Sequence, residues 1–178
     1  VAIAVLASLQ SGRAAGAEFE WESPTRATAT VYIKGGEGGP RFVAPRTVTT
    51  GEELRVVEQA NPRRVGPDTF SLVAESLLPR TPRARQLCFA KGSICRAIGT
   101  WHGVTGDGPP TVNPVEAGAE GWDTEGTLTE RGDSWFTGMR RGASIVQRVT
   151  APAGATIHFI SALHPWMQGS IFVLPAEG

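Results

Sequence analysis

Two cysteines and a histidine fall at equal spacing, Cys88, Cys95 and His102, and two kinds of chemistry suit such a set. Three soft or borderline donors could begin a zinc site, but a fourth ligand and the short Cys-x-x-Cys pair of most such sites are lacking. The competing chemistry is a disulfide. On one continuous helix Cys88 and Cys95 would stand about 10 Å apart, at roughly 1.5 Å of rise per residue, too far for an S–S bond. Gly92-Ser93 lies between them. A glycine that ends one helical turn and a serine that caps the next would fold the segment into a hairpin and bring the sulfurs together. An oxidising compartment would drive that bond, and the disulfide is the preferred reading.

The other reactive side chains form no recognisable catalytic set. His158 falls on the strand face opposite Phe159 and Ser161, where a surface or second-sheet histidine belongs. His102, apart from the zinc alternative, reads as an ordinary loop residue after Trp101. Arg131-Gly132-Asp133 matches a tripeptide that integrins bind, but Gly-Asp pairs are ordinary turn chemistry. No Ser-His-Asp set with motif spacing, no Walker loop and no paired carboxylates occur. An enzyme has no support here; one would need a deep polar pocket in the segment 75–142.

The side chains must be held by elements that composition already bounds. At 178 residues with 40% hydrophobic content the chain can build one ordinary domain with a proper core. Seventeen basic and 17 acidic residues cancel, which leaves no basic face for a phosphate backbone, so nucleic acid is not an expected partner. Twenty-two glycines and 13 prolines favour many turns over long helices. Residues 1–9 are almost purely apolar and Ala15-Gly16-Ala17 supplies a small-x-small cleavage pattern before Glu18, so residues 1–17 read as a signal peptide remnant and the protein as extracytoplasmic, periplasmic or secreted. No stretch approaches the roughly 20 apolar residues of a membrane span.

Along the chain, alternation predicts strands over 28–34, 41–44, 46–49, 53–59 and 69–74, with Pro45 interrupting a short pair and Gly51 making a turn. Between 75 and 143 the strand rhythm fails. That segment holds five prolines, at 79, 82, 109, 110 and 114, and one stretch of helical character over 83–101. It reads as a long loop and short-helix insertion with a possible strand at 127–129. Alternation returns at 144–150, 156–161 and 170–174. The expectation is a single all-β domain over 18–178, a Greek-key β-sandwich.

Three pieces then fall in a familiar order. Phe42-x-x-Pro45-x-x-Val48-x-x-Gly51-x-x-Leu54 is similar to the strand pair of the cupredoxins. Gly66-Pro67-Asp68-Thr69-Phe70-Ser71-Leu72 resembles the segment in which that family places its first copper-binding histidine. Ser161-Ala162-Leu163-His164-Pro165-Trp166-Met167-x-Gly169 resembles its C-terminal loop, Cys-x-x-His-Pro-Trp-Met-x-Gly. The resemblance spans residues 28–74 and 144–175. It implies a site in which two histidines and a cysteine hold copper with a weak axial methionine. His164 and Met167 fall on two of those positions; Asp68 and Ser161 replace the histidine and the cysteine. A serine hydroxyl is not a soft anionic thiolate, so no type 1 copper centre is expected, and the bland alternative is that Asp68 hydrogen-bonds Ser161 or His164 where the metal would sit.

The resemblance therefore implies an exported cupredoxin-like domain that binds no cofactor and serves as a non-catalytic binding or structural subunit. Its docking surface would be the loop residues Pro165, Trp166 and Met167, exposed around His164 and facing a protein partner. The alternative is a copper-binding electron-transfer protein with an atypical site that uses His164 and Met167.

Overall fold

The structure is a computed structural model, and it describes residues 28–104 and 121–176. The signal-peptide reading of 1–17, the leader that follows it and the prolines at 109, 110 and 114 lie outside the described residues.

Among the described residues nine strands make two sheets. In chain order they are β1 (Thr28–Lys34), β2 (Arg41–Val43), β3 (Thr47–Thr49), β4 (Glu53–Glu58), β5 (Thr69–Leu72), β6 (Ser134–Phe136), β7 (Ser144–Arg148), β8 (Thr156–Ile160) and β9 (Gln168–Leu174). One sheet runs β2-β1-β4-β7 and the other β3-β9-β8-β5-β6. Pairing is antiparallel except for β1 with β4 and β3 with β9, which are parallel. The architecture is an all-β, two-sheet sandwich.

Period-2 alternation explains which side chains point inward. Val31 and Ile33 on β1, Leu54 and Val56 on β4, Ile157 and Phe159 on β8, and Ile171 and Val173 on β9 are all buried. Their centre is aromatic: the Phe70 and Phe159 rings lie 4.8 Å apart, Phe42 meets Phe159 at 5.1 Å, and Phe70 meets Trp122 at 5.2 Å. The last two contacts are edge-on, a geometry that the ring quadrupoles favour. Gly169 makes room for this cluster, since a Cβ there would stand 2.4 Å from Phe159 Cζ.

Segments 41–43 and 47–49 do not pair with each other as expected. β2 lies beside β1 and β3 beside β9, in opposite sheets. Pro45 sits at the crossing, where its missing N–H costs no ladder bond.

The described part of the insertion is largely a second small core laid on the outside of the β8 sheet. Helices α2 (Pro82–Gln86) and α3 (Ile94–Trp101) replace the single helical stretch, and Gly92, at φ +78°, ends the turn between them. Cys88 and Cys95 are joined in a disulfide, which removes the zinc alternative. The bond is buried with Val73, Leu78, Ile94, Ile98, Ile160 and Ala162, so Ile160 points away from the sandwich centre yet stays dry. The strand expected at 127–129 is absent: Thr127 N donates to Glu130 O while its hydroxyl accepts from Glu130 N, a self-contained polar turn. Among the described residues of the insertion the strand is β6 instead, paired with β5. Asp133 of the Arg-Gly-Asp tripeptide is buried and accepts the Asp123 and Thr124 N–H groups, so it is spent on closing a loop.

Candidate functional site at one end of the sandwich

The four family positions converge at one end of the two sheets. Asp68 precedes β5 and shares the inward face of Phe70 and Leu72; Ser161 follows β8 on the face of Ile157 and Phe159. Both are completely buried. The turn between β8 and β9 is closed by Met167 N donating to His164 O at 2.8 Å and Ser161 N donating to Met167 O at 3.0 Å, which swings the imidazole back over Asp68. Helix α1 (Pro62–Val65), capped by the Asn61 side chain, delivers the chain to Gly66 under the same imidazole.

Asp68 Oδ1 is the junction of the cluster. It accepts the Ser161 hydroxyl at 2.9 Å and His164 Nδ1 at 2.7 Å. With its single proton given to Asp68, Ser161 Oγ accepts from Thr69 N and His164 N, each at 3.3 Å. The imidazole must carry a proton on Nδ1. Its pKa is raised, first by the Asp68 hydrogen bond and also by the Asp68 charge, the Val65 carbonyl and the more distant Glu58, against the opposing effect of burial. The Asp68 backbone is pinned separately, N to Thr137 Oγ1 at 3.0 Å and O to Thr137 N at 3.0 Å.

Glu58 belongs to the same end of the core and was missed in the sequence. It continues the inward row Leu54, Val56, Glu58 on β4 and is 0% exposed. Neither of its oxygens, nor Asp68 Oδ2, has a hydrogen-bond partner among the described residues. Burial, then the Asp68 charge, push its carboxyl up to about 7; weaker contacts with the Ala60 N–H and the Thr137 hydroxyl, and the His164 charge, offset part of this. Strict alternation of β4 was the signal that could have found it.

The loop side chains divide. Met167 is 2% exposed and packs in the main core, which corrects the expectation that it stands on the surface: the Ser161–Met167 and His164–Met167 backbone bonds turn it inward. Trp166 is 47% exposed, but its Nε1 donates to Pro40 O at 3.1 Å and its ring leans on Gly39 and on the His164 ring, 4.9 Å away. Leu163 is exposed and Pro165 half-buried.

His102 is not an ordinary loop residue. It ends α3, is buried, and its Nε2 lies 2.6 Å from Ser134 Oγ. Ser134 is 2.6 Å from Ser71 Oγ, and Ser71 donates to Thr69 Oγ1 at 3.0 Å. Counting protons along this chain, Ser71 spends its own on Thr69, so Ser134 donates to Ser71 and His102 donates to Ser134. A histidine that donates to a serine is oriented against general-base activation of that serine. His158 lies elsewhere, Nδ1 to Glu125 Oε1 at 2.7 Å.

No protein-family model and no curated protein matches the chain. Among solved structures it is similar to an auracyanin from the photosynthetic bacterium Roseiflexus castenholzii, at 15% identity and TM-score 0.41 over 83% of this chain and 97% of that one. It is also similar to auracyanin B, at 17% identity and TM-score 0.42 over 85% and 91%. A third is auracyanin A of Chloroflexus aurantiacus, described as a "blue" copper protein, at 15% and 0.40 over 83% and 98%.

The donors gathered here do not fit a thiolate copper centre. Both cysteines of the chain are in the disulfide, Ser161 has its proton committed to Asp68, and the imidazole Nδ1 donates rather than offers a lone pair. Among the described residues no three His, Cys, Asp or Glu side chains are grouped so that they could hold a metal ion.

Proposed function

We propose that this is an exported cupredoxin-like domain that has exchanged a copper centre for an internal hydrogen-bond cluster and serves as a non-catalytic binding or structural subunit. The observation that carries the reading is the Asp68 junction. One carboxylate oxygen takes both the hydroxyl at the cysteine position and the imidazole at the histidine position, so the loop is held without a metal. A buried disulfide supports an oxidising, extracytoplasmic setting, and no helix among the described residues is long and apolar enough to cross a membrane.

The docking face in this reading is Leu163, Pro165 and Trp166, not Met167. Trp166 and Leu163 are 47% and 40% exposed on one loop braced from within, and a rigid exposed aromatic is the kind of anchor that protein interfaces use. The partner is a protein with an apolar recess.

One observation favours the electron-transfer alternative. Asp68 Oδ2 is buried and unpartnered, so an oxygen lone pair remains for copper(II) beside His164 and Met167. Metal analysis of protein purified without chelators, followed by copper(II) titration, separates the two. The proposed function expects substoichiometric metal and no intense visible absorption. Stoichiometric copper that survives a chelator overturns it in favour of the alternative.

A further inference from the structure

A second feature lies on the other side of the loop, between the insertion and the sheet. A cavity of about 150 Å3 is walled by Phe89, Ile98, Gly99 and His102 from the insertion, Phe136 from β6, and Leu163 from the loop, and no polar atom faces it. The two polar side chains in its wall are occupied elsewhere: His102 Nε2 with Ser134, and Thr69 Oγ1 with Ser71 and the Ala162 N–H. The cavity opens to solvent past the exposed Phe89 and Leu163 side chains, but its apolar lining offers water no hydrogen bond, and an enclosed apolar cavity of about this size holds one benzene-sized molecule.

Gly99 is the second observation. It sits inside α3, where glycine costs about 1 kcal/mol relative to alanine. Nothing among the described residues demands it. Its φ is not positive, and among the described residues a Cβ would meet the Val104 side chain alone, at an ordinary contact of 3.6 Å. The helix gives up stability at a position where the side chain removed would have narrowed the cavity. We propose that the cavity is a binding site for one small apolar molecule, a single hydrocarbon ring or its branched aliphatic equivalent. It is too small for a peptide segment and offers nothing to a charged or hydrogen-bonding ligand. Its occupant would touch Leu163, next to His164.

Benzene is the probe. Titrated into the unmodified protein, it should give one saturable set of amide shifts centred on Ile98, Gly99 and Leu163, and a melting temperature that rises with benzene concentration. Gly99→Leu should abolish both effects and raise the melting temperature of the ligand-free protein. If that variant does not fold, xenon-pressurised crystals of the unmodified protein answer the same question, with one xenon atom expected between Ile98, Phe136 and Leu163. The proposal is overturned by the absence of saturable benzene shifts, by shifts that persist in folded Gly99→Leu, by a folded Gly99→Leu less stable than the unmodified protein, or by xenon found only elsewhere.

Discussion

His164 Nδ1 and Asp68 Oδ1 are 2.7 Å apart although 96 positions of sequence separate them. The contact ties the C-terminal loop to the segment before β5, and the Ser161 hydroxyl lands on the same oxygen. A loop that the family resemblance would close around a metal is closed here around a carboxylate.

Supplying the histidine and the cysteine that the resemblance calls for should give colour. Asp68 and Ser161 are already in contact at 2.9 Å, so Asp68→His with Ser161→Cys places an imidazole and a thiolate beside His164 and Met167. On adding copper(II) the double variant should show intense visible absorption and the unmodified protein none. Ser161→Cys alone should give at most a weak or altered band. A folded, colourless double variant means that the four positions do not meet closely enough to share an ion.

Ser161→Ala should destabilise the fold by about 1–3 kcal/mol, the usual cost of leaving buried polar groups unpaired. The change strips Thr69 N and His164 N of their acceptor and removes one donor from Asp68. Urea denaturation checks this, with an unchanged midpoint counting against the cluster as the element that holds the loop.

Stability should fall as pH rises from about 4.5 to about 7. Glu58 ionises near 4.5 ordinarily and near 7 in the fold, so across that window the folded state binds more protons than the unfolded state and the slope of stability against pH is negative. The gap corresponds to about 3 kcal/mol. His164, raised above 6.5, acts in the same sense: its contribution is complete below 6.5 and is lost as pH climbs through its folded value. Glu58→Gln should flatten the lower window and leave the His164 part. Melting curves across pH for both proteins test the assignment, and a parallel offset without change of slope would refute it.

Trp166→Ala should cost clearly less than the roughly 3–5 kcal/mol of a core tryptophan truncation, because nearly half of the side chain is already in water. Part of the loss is the bond to Pro40 O. If the loop is a docking face, the same variant weakens partner association by more than its effect on stability accounts for. A full core-sized loss would make Trp166 a structural cover.

Much of this was legible in the residues, because strands are local. Alternation placed β1, β4, β8 and β9, and the Gly92-Ser93 break between Cys88 and Cys95 made the hairpin that the disulfide closes. The absence of a thiolate follows from arithmetic, two cysteines and one disulfide. The segments that obey no period were harder. The strand at 134–136 has three residues, too few to alternate visibly, whereas 127–129 has β-branched residues that its own side-chain bonds hold in a turn.

The order of inward and outward positions along each strand, and the chemistry available at Asp68, Ser161 and His164, were determined by sequence, since pleating and functional groups are properties of neighbouring residues. The resemblance already brought these three together; only the tertiary structure decided that one Asp68 oxygen takes both partners and which further groups gather around them. Glu58 reaches the neighbourhood of Asp68 from the opposite sheet, His102 finds Ser134 across the insertion, and within one loop Met167 turns into the core while Trp166 turns out. These contacts join residues with no shared local period, so their energies depend on how two sheets and an insertion stack.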